Sequence, residues 1–333
     1  MKELLTRLIN QEYISTEEAK NALVKISKGE YNSSQIASFL TVYMMRSITI
    51  EELKGFRDAL LELCIPVEFD GMETIDLCGT GGDGKNTFNV STLASFVTAG
   101  AGVPVTKHGN YGVSSACGSS NVLEYLGIKF TSDQDFLKRS MEKAGICILH
   151  APLFHPAMKH VAPIRRELGV KTFFNMLGPM VNPAFPKNQM VGVFSLELLR
   201  LYGYLYENTN KKYSIVHALD GYDEISLTGD SKIMSHDKGE RLLTPGDLNL
   251  QSLSMQEIYG GDSIESAAKI FMSVLDNEAT EAQKNVVCAN AAVAIATTTG
   301  KGYLESMDDA KYSLESGNAK NAFVELINLS KAS

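Results

Sequence analysis

Residues 74–92 read TIDLCGTGGDGKNTFNVST, and the order of signals in this stretch decides the fold. Thr74 to Cys78 predicts a short buried strand. Gly79 to Thr87 predicts a glycine-rich loop, Asn89 to Ala101 a helix, and Val103 to Thr106 a second strand. A strand, helix and strand in that sequence form a βαβ unit. Such a unit implies a parallel sheet, because two parallel strands need a crossover between them. Working outward, further strands are predicted at Cys147 to Leu149, Met190 to Phe194 and Tyr213 to Ala218, with helical patterns around 132–144, 196–208 and 264–275. The alanine- and valine-rich run 280–298 reads as a buried helix.

Upstream of Pro66 the character is different. Ser15 with Glu18, Asn32 with Gln35 and Thr49 with Glu52 are three capping boxes, each just before a periodic apolar run. Leu4, Leu5, Leu8 and Ile9 predict one apolar face, and Ile36, Phe39, Leu40, Tyr43 and Met44 another. The expected architecture is α/β: a small N-terminal α-helical domain over 1–66, with a helical contribution from about 160–185, and a large α/β domain over 70–333 built on a mostly parallel central sheet.

At 333 residues the chain is long enough for these two domains and a sizeable core. Its net charge of −8 argues against a general nucleic-acid binder, which usually carries a basic surplus. The five cysteines are odd in number and none are spaced C-x-x-C, so neither a disulfide framework nor a zinc knuckle is expected. MKELLTRLINQEYIS lacks an apolar core of signal-peptide length, and no apolar run is long enough to span a membrane. A cytoplasmic location is the expectation.

The glycine-rich loop admits three readings. Gly79, Gly81 and Gly84 match the dinucleotide pattern, but that site wants an acid at the end of the second strand, where this chain has Lys107. Gly79, Gly84 and Lys85 approach the P-loop pattern, but Asn86 stands where a Ser or Thr must meet magnesium. What survives is common to all: backbone N–H groups able to surround phosphate oxygens, followed by a helix presenting Asn89, Val90, Ser91 and Thr92 to an anion. The Ser91 and Thr92 hydroxyls can donate to phosphate, and Ser91 can instead ligate a metal. A second polar cluster, Lys107-His108-Gly109-Asn110, follows the second strand, with the serine-rich run Ser114 to Ser120 behind it. It offers a cation for a phosphate, glycine for close approach and hydroxyl donors. The polar clusters beginning at Gly79, Lys107 and Asp220 all follow strands, which points to one site beyond the carboxyl ends of the sheet.

The ordered set DLCGTGGD, NVST, KHGN, HPAMK, RRELG and NMLGPMVNP resembles the anthranilate phosphoribosyltransferases over nearly the whole chain. The first and third motifs are shared with the pyrimidine nucleoside phosphorylases; His155 to Pro183 favours anthranilate. The resemblance implies transfer of phosphoribosyl from phosphoribosyl pyrophosphate (PRPP) to anthranilate in tryptophan biosynthesis. PRPP would be held by Gly79, Gly82, Asp83, Thr87, Asn89, Val90, Ser91, Thr92, Lys107, Ser115 and Ser119. Anthranilate would meet Gly79, Asn110, Ala151, Pro152, His155, Arg165 and Gly178. Ser91, Asp223 and Glu224 would serve two magnesium ions per subunit, and a homodimer would form through the helical domain. Neither nucleic acid nor membrane is an expected partner.

The residues themselves suit this chemistry. Adjacent acids beyond a strand form a hard-oxygen pair fit for magnesium, and a guanidinium can pair with a carboxylate in bidentate fashion. Sequence alone leaves Arg165 and Arg166 open for that role; the family pattern selects Arg165. It assigns no general base, His155 being the only candidate. Many relatives carry Arg where this chain has Tyr111 and Asp where it has Asn121. The alternatives are a magnesium-independent nucleoside phosphorylase and a non-catalytic nucleotide-binding module.

Overall fold

The computed structural model describes residues 1–112 and 117–332. The chain divides into two compact units, Met1–Val67 with Ala151–Phe185, and Glu68–His150 with Pro186–Ser333.

The first unit is helical. Its opening helices are Lys2–Ile9, Thr16–Ser27, Ser33–Met45 and Ile50–Leu63. All three capping boxes form, so the free N–H groups at the start of three helices are satisfied locally and the helix starts are sharp. Phe39 and Phe56 are fully buried, and Phe173 from the second segment stacks on Phe56 with centroids 4.5 Å apart and meets Tyr43 edge-on. Glu52 is the polar hub of this core. It accepts from Ile14 N–H at 3.2 Å and Tyr43 Oη at 3.2 Å, closes the Thr49 cap, and pairs with Arg46. The stripe predicted from Leu4, Leu5, Leu8 and Ile9 is only partly used inward: Leu8 is fully buried, whereas Ile9 is 63% exposed.

The second unit is built on a seven-stranded sheet: β1 (Ile75–Gly79), β2 (Val105–Gly109), β3 (Ile146–His150), β4 (Asn188–Gly192), β5 (Lys212–Ala218), β6 (Ser231–Ser235) and β7 (Gly239–Leu243). Their spatial order is β3-β2-β1-β4-β5-β6-β7, with β1 to β5 parallel and β6 and β7 antiparallel. Helix Val90–Gly100 makes the β1-to-β2 crossover. It packs with the buried helix Glu281–Thr299, whose alanines and valines allow a close approach. Ile75, Leu77, Phe96 and Phe271 lie in the same core.

Two features differ from the sequence reading. The second strand runs on through Lys107 and His108 to Gly109, so those two side chains belong to the sheet rather than to a loop. The hairpin β6–β7 was not expected. Its strands are five residues each and carry Ser, Lys, Glu and Arg, so β6 shows only alternating burial and β7 almost none. The C-terminal helices Tyr303–Glu315 and Asn318–Ala332 complete the unit.

Candidate functional site

The strand order places the site. β2 lies on one side of β1 and β4 on the other, so the chains leaving these central strands diverge and open a crevice at their carboxyl ends. β1 and β4 both end there in glycine, and the two glycines are in register, Gly79 beside Gly192. The reason is visible above them. A Cβ on Gly79 would stand 2.5 Å from Asp223 Oδ2, and one on Gly192 would collide with the Asp223 carbonyl. The loop after β5 therefore lies directly on the crevice, and only strands without side chains at that level admit it.

Asp223 and Glu224 are the acids of that loop. The Asp223 carboxylate accepts the Gly81 N–H at 2.6 Å, joining the acidic loop to the glycine-rich one. Burial, reinforced by the charge of Asp83, pushes the Asp223 carboxyl up to about 7. Glu224 is buried; desolvation first and then Asp223 raise it well above the carboxylate range. Its Oε1 has no hydrogen-bond partner among the described residues. Asn290, from the buried alanine-rich helix, fixes the backbone behind these acids: its amide nitrogen donates to Ile225 O at 2.9 Å and its oxygen accepts from Ile225 N–H at 3.0 Å.

Ser91 lines the same small cavity as Asp223, Glu224, Cys78 and Gly192. All three expected metal ligands thus face one space. No cluster of three or more His, Cys, Asp or Glu side chains suited to a metal occurs among the described residues. Two carboxylates and a hydroxyl are nevertheless an all-oxygen set suited to magnesium, which retains several waters. An orphaned buried carboxylate oxygen and two acids raised chiefly by burial, with Asp83 acting on Asp223 and Asp223 on Glu224, are what a divalent cation relieves, so the residues fit the ion.

The glycine-rich loop carries groups suited to an anion. Gly81, Gly82 and Gly84 all have positive φ, at 64°, 80° and 75°, which is why the run needs glycine. Asp83 Oδ1 accepts the Lys85 N–H at 3.0 Å. Thr87 forms a bridge with Tyr259, anchoring the far end of the loop. The helix Val90–Gly100 has no side-chain cap and no acid in its first turn, because Asn89 turns its amide to Cys117 O at 3.2 Å instead. Its N-terminus keeps its positive end for a ligand. Thr92 Oγ1 is buried without a partner among the described residues.

Lys107 is 2% exposed, and its Nζ donates to Leu77 O at 2.7 Å. Desolvation lowers its pKa, with Asp76 acting against that shift. The adjacent His108 N–H donates to Asp76 Oδ1 at 3.1 Å. Lys107 therefore braces the end of β1 from within the sheet. Asn110 O accepts from Ser119 Oγ at 3.2 Å and Ser120 N–H at 3.2 Å, which brings the KHGN cluster against the serines. Ser115 lies outside the described residues. Asn121 Oδ1 accepts from Gly112 N–H at 2.9 Å and Gly118 N–H at 3.0 Å, a task a carboxylate oxygen performs equally well. Tyr111 donates its hydroxyl to Glu124, 3.2 Å from either oxygen, and sets its ring edge on His150 at 4.7 Å.

The remaining candidates lie in the first unit. Arg165 is half-buried, held by Asn175 Oδ1 at 3.1 Å and lying over the Phe174 ring at 5.4 Å, whereas Arg166 is exposed. His155 is buried, and desolvation lowers it to about 4 against a backbone hydrogen bond to Val181, so its ring is neutral near pH 7. Ala151 and Pro152 lie in the short helix Ala151–Phe154, and Gly178 is exposed at the start of the turn Gly178–Met180. Asn290 and Tyr222 were missed by the sequence reading, which met Lys85 only in the P-loop pattern it set aside. A single Asn amid the apolar residues of 286–296 is the signal that could have found the first.

Known proteins agree with this architecture. Residues 71–320 match a family described as glycosyl transferase family, a/b domain, and residues 2–64 match glycosyl transferase family, helical bundle domain. The chain is 64% identical over 331 residues to an anthranilate phosphoribosyltransferase of Christiangramia forsetii, covering 99% of this chain and all of that one. Among solved structures, anthranilate phosphoribosyltransferase from Thermus thermophilus superposes with a TM-score of 0.91 at 32% identity, covering 98% of this chain and 99% of that one. The Saccharomyces cerevisiae enzyme in complex with PRPP and Mg superposes with a TM-score of 0.91 at 26% identity, covering 99% and 97%.

Proposed function

The chain belongs to the anthranilate phosphoribosyltransferase family, and we propose that the crevice beyond β1 and β4 is where it transfers phosphoribosyl from PRPP to anthranilate, giving N-(5-phosphoribosyl)anthranilate and pyrophosphate. The observation that carries the reading is the Asp223 to Gly81 hydrogen bond, which puts an oxygen-donor pair and a phosphate-binding loop in one place.

Displacement at the ribose anomeric carbon passes through an oxocarbenium-like state while a highly charged leaving group departs. Bound magnesium neutralises that charge as a Lewis acid. Asp223 and Glu224, with Ser91, would hold the metal, and two ions per subunit are assigned on the family pattern. The N–H groups of Gly79 and Gly82, the N-terminus at Asn89 and Val90, and the hydroxyls of Thr87, Ser91, Thr92 and Ser119 would take the phosphates, with Asp83 and Lys107 assigned to PRPP beside them on the family pattern. Ser115 is assigned with them on the family pattern. These donors are already fixed by the fold, so little reorganisation accompanies the reaction.

For the acceptor, Gly79, Asn110, Ala151, Pro152, His155, Arg165 and Gly178 are assigned on the family pattern alone. Arg165 takes the carboxylate. Its support by Asn175 and Phe174 favours it over the exposed Arg166. The aniline nitrogen is an uncharged nucleophile, so positioning rather than prior deprotonation prepares the attack, and once the C–N bond has formed its surplus proton passes to the released pyrophosphate or to water. His155, neutral and backbone-bonded, serves as a wall of the path.

Exposed Ile9, Tyr13 and Met45 on the helical unit support a homodimer formed there. Five free cysteines support a reducing, cytoplasmic setting. No helix among the described residues is long and apolar enough to cross a membrane. The test is loss of anthranilate fluorescence with PRPP, with and without magnesium. Consumption that needs both is the expected result; none under any condition overturns the reading and turns attention to phosphate-dependent nucleoside cleavage.

A further inference from the structure

We propose that Tyr259, Gly260 and Gly261 form a clasp that positions the phosphate-binding loop and, through Thr87, the metal-binding Glu224, which makes Gly260 and Asn86 positioning residues for magnesium-bound PRPP. The inference rests on the reading that this crevice binds PRPP. A loop whose glycines at 81, 82 and 84 all have positive φ takes its shape from outside, because glycine itself restricts the backbone least. One end is held by Asp223 on Gly81. The other is held by the segment that follows the turn Met255–Ile258. Gly260 N–H donates to Asn86 O at 2.8 Å, Asn86 Nδ2 donates to Gly261 O at 3.0 Å, and Thr87 bridges to Tyr259. The Asn86 side chain also hydrogen-bonds the Tyr259 hydroxyl, which in turn donates to Asp262.

Both flanks of the clasp are anchored. Ile258 before it is 1% exposed. After it, the helix Ile264–Leu275 starts from the Ser263 capping box and buries Ala267, Ala268 and Phe271. Gly260 is the tightest point. A Cβ there would stand 2.4 Å from Thr87 O and 2.7 Å from Phe88 N, backbone atoms that no change of rotamer can move aside. What Thr87 touches gives this contact its consequence. The Thr87 side chain hydrogen-bonds the Glu224 carboxylate, opposing the rise that burial imposes on it. Phe88 is buried in the core and holds the next residue in place, so a push at Gly260 is taken up at Thr87. A shift there moves a hydroxyl on the metal-binding acid and the last residues of the loop together.

The test compares wild type with Gly260→Ala and Asn86→Ala. It reads the calorimetric Kd for PRPP at limiting and at saturating magnesium, the KM for anthranilate and the melting temperature. Gly260→Ala pushes on Thr87, whereas Asn86→Ala deletes exposed side-chain bonds and leaves the backbone contacts in place. The expected result is a Kd for PRPP raised by about tenfold or more in Gly260→Ala and by about threefold in Asn86→Ala. Each deficit should be larger at limiting magnesium, with the KM for anthranilate unchanged and the melting temperature of Asn86→Ala that of wild type. Wild-type affinity in both variants overturns the clasp. So does a loss of the same size at both magnesium levels, or an equal loss for anthranilate, either of which marks a packing role. If Gly260→Ala does not fold, Asn86→Ala decides alone. A wild type that binds PRPP beside silent variants removes the clasp only; one that binds none removes the reading of the site and this inference together.

Discussion

The Asp223 carboxylate lies 2.6 Å from the backbone nitrogen of Gly81, joining residues 142 positions apart in sequence. The glycine-rich loop and the loop after β5 are thereby a single hydrogen-bonded object. Asp223→Asn and Glu224→Gln should each lower turnover by roughly tenfold or more, since a carboxamide is a poorer ligand for a hard cation. Far-UV circular dichroism should not change. Steady-state rates over a magnesium titration are the check; normal activity of both variants at limiting magnesium would sink the metal assignment.

Acid stabilisation of the magnesium-free protein follows from the same acids. The Asp223 carboxyl is raised from 3.8 to about 7, so the folded state binds its proton more tightly than the unfolded chain. Its contribution to stability is complete below the unfolded value near 4 and is lost as pH rises through about 7. Between pH 5 and 8, urea midpoints without magnesium should therefore fall less steeply with pH in Asp223→Asn than in wild type. A variant that reproduces the wild-type slope would remove Asp223 as the titrating group.

Gly79→Ala should disturb this arrangement without touching the core. The added Cβ would stand 2.5 Å from Asp223 Oδ2, so the carboxylate must move or turn. A weaker apparent magnesium affinity, with a near-normal melting temperature, is expected; magnesium dependence of the PRPP half-saturation reads it out, and wild-type behaviour would show that the loop yields at no cost.

Arg165→Ala should raise the KM for anthranilate much more than that for PRPP. Lysine should restore little, because a compact ammonium cannot reproduce the bidentate fork. Equal effects on both substrates would reject the proposed contact.

Glu52→Ala tests the helical unit. It strands the buried Arg46, with side chains 3% and 0% exposed in the pair, and removes the carboxylate that accepts the Thr49 N–H, the return half of the capping box. Removing one partner of a buried pair costs about 3–5 kcal/mol. A melting temperature within a degree of wild type would show that Arg46 finds another acceptor.

Much of this organisation was legible beforehand because its causes are local. Capping boxes act over three residues, so the starts of three of the first four helices followed from Ser15, Asn32 and Thr49. The strand, loop and helix at 75–100 follow from apolar runs and glycines needing positive φ. The acids at 223 and 224 stood out by pattern, and Ser91 by its place at a helix start.

What sequence could not supply is what depends on neighbours distant along the chain. Lys107 reads as a loop cation because its charge is written in its side chain, whereas its burial depends on Leu77 and Asp76 across the sheet. β6 and β7 carry too little apolar patterning to announce themselves, and the pairing of β6 with β5 is what makes them strands. Local sequence determined the elements and the chemical types gathered in the loops. Only the tertiary structure decided that β1 and β4 lie side by side, that Gly79 and Gly192 are level, and that Asp223 fills the space above them. Those are relations of position between segments distant along the chain, set by packing and strand order rather than by the propensity of any one segment.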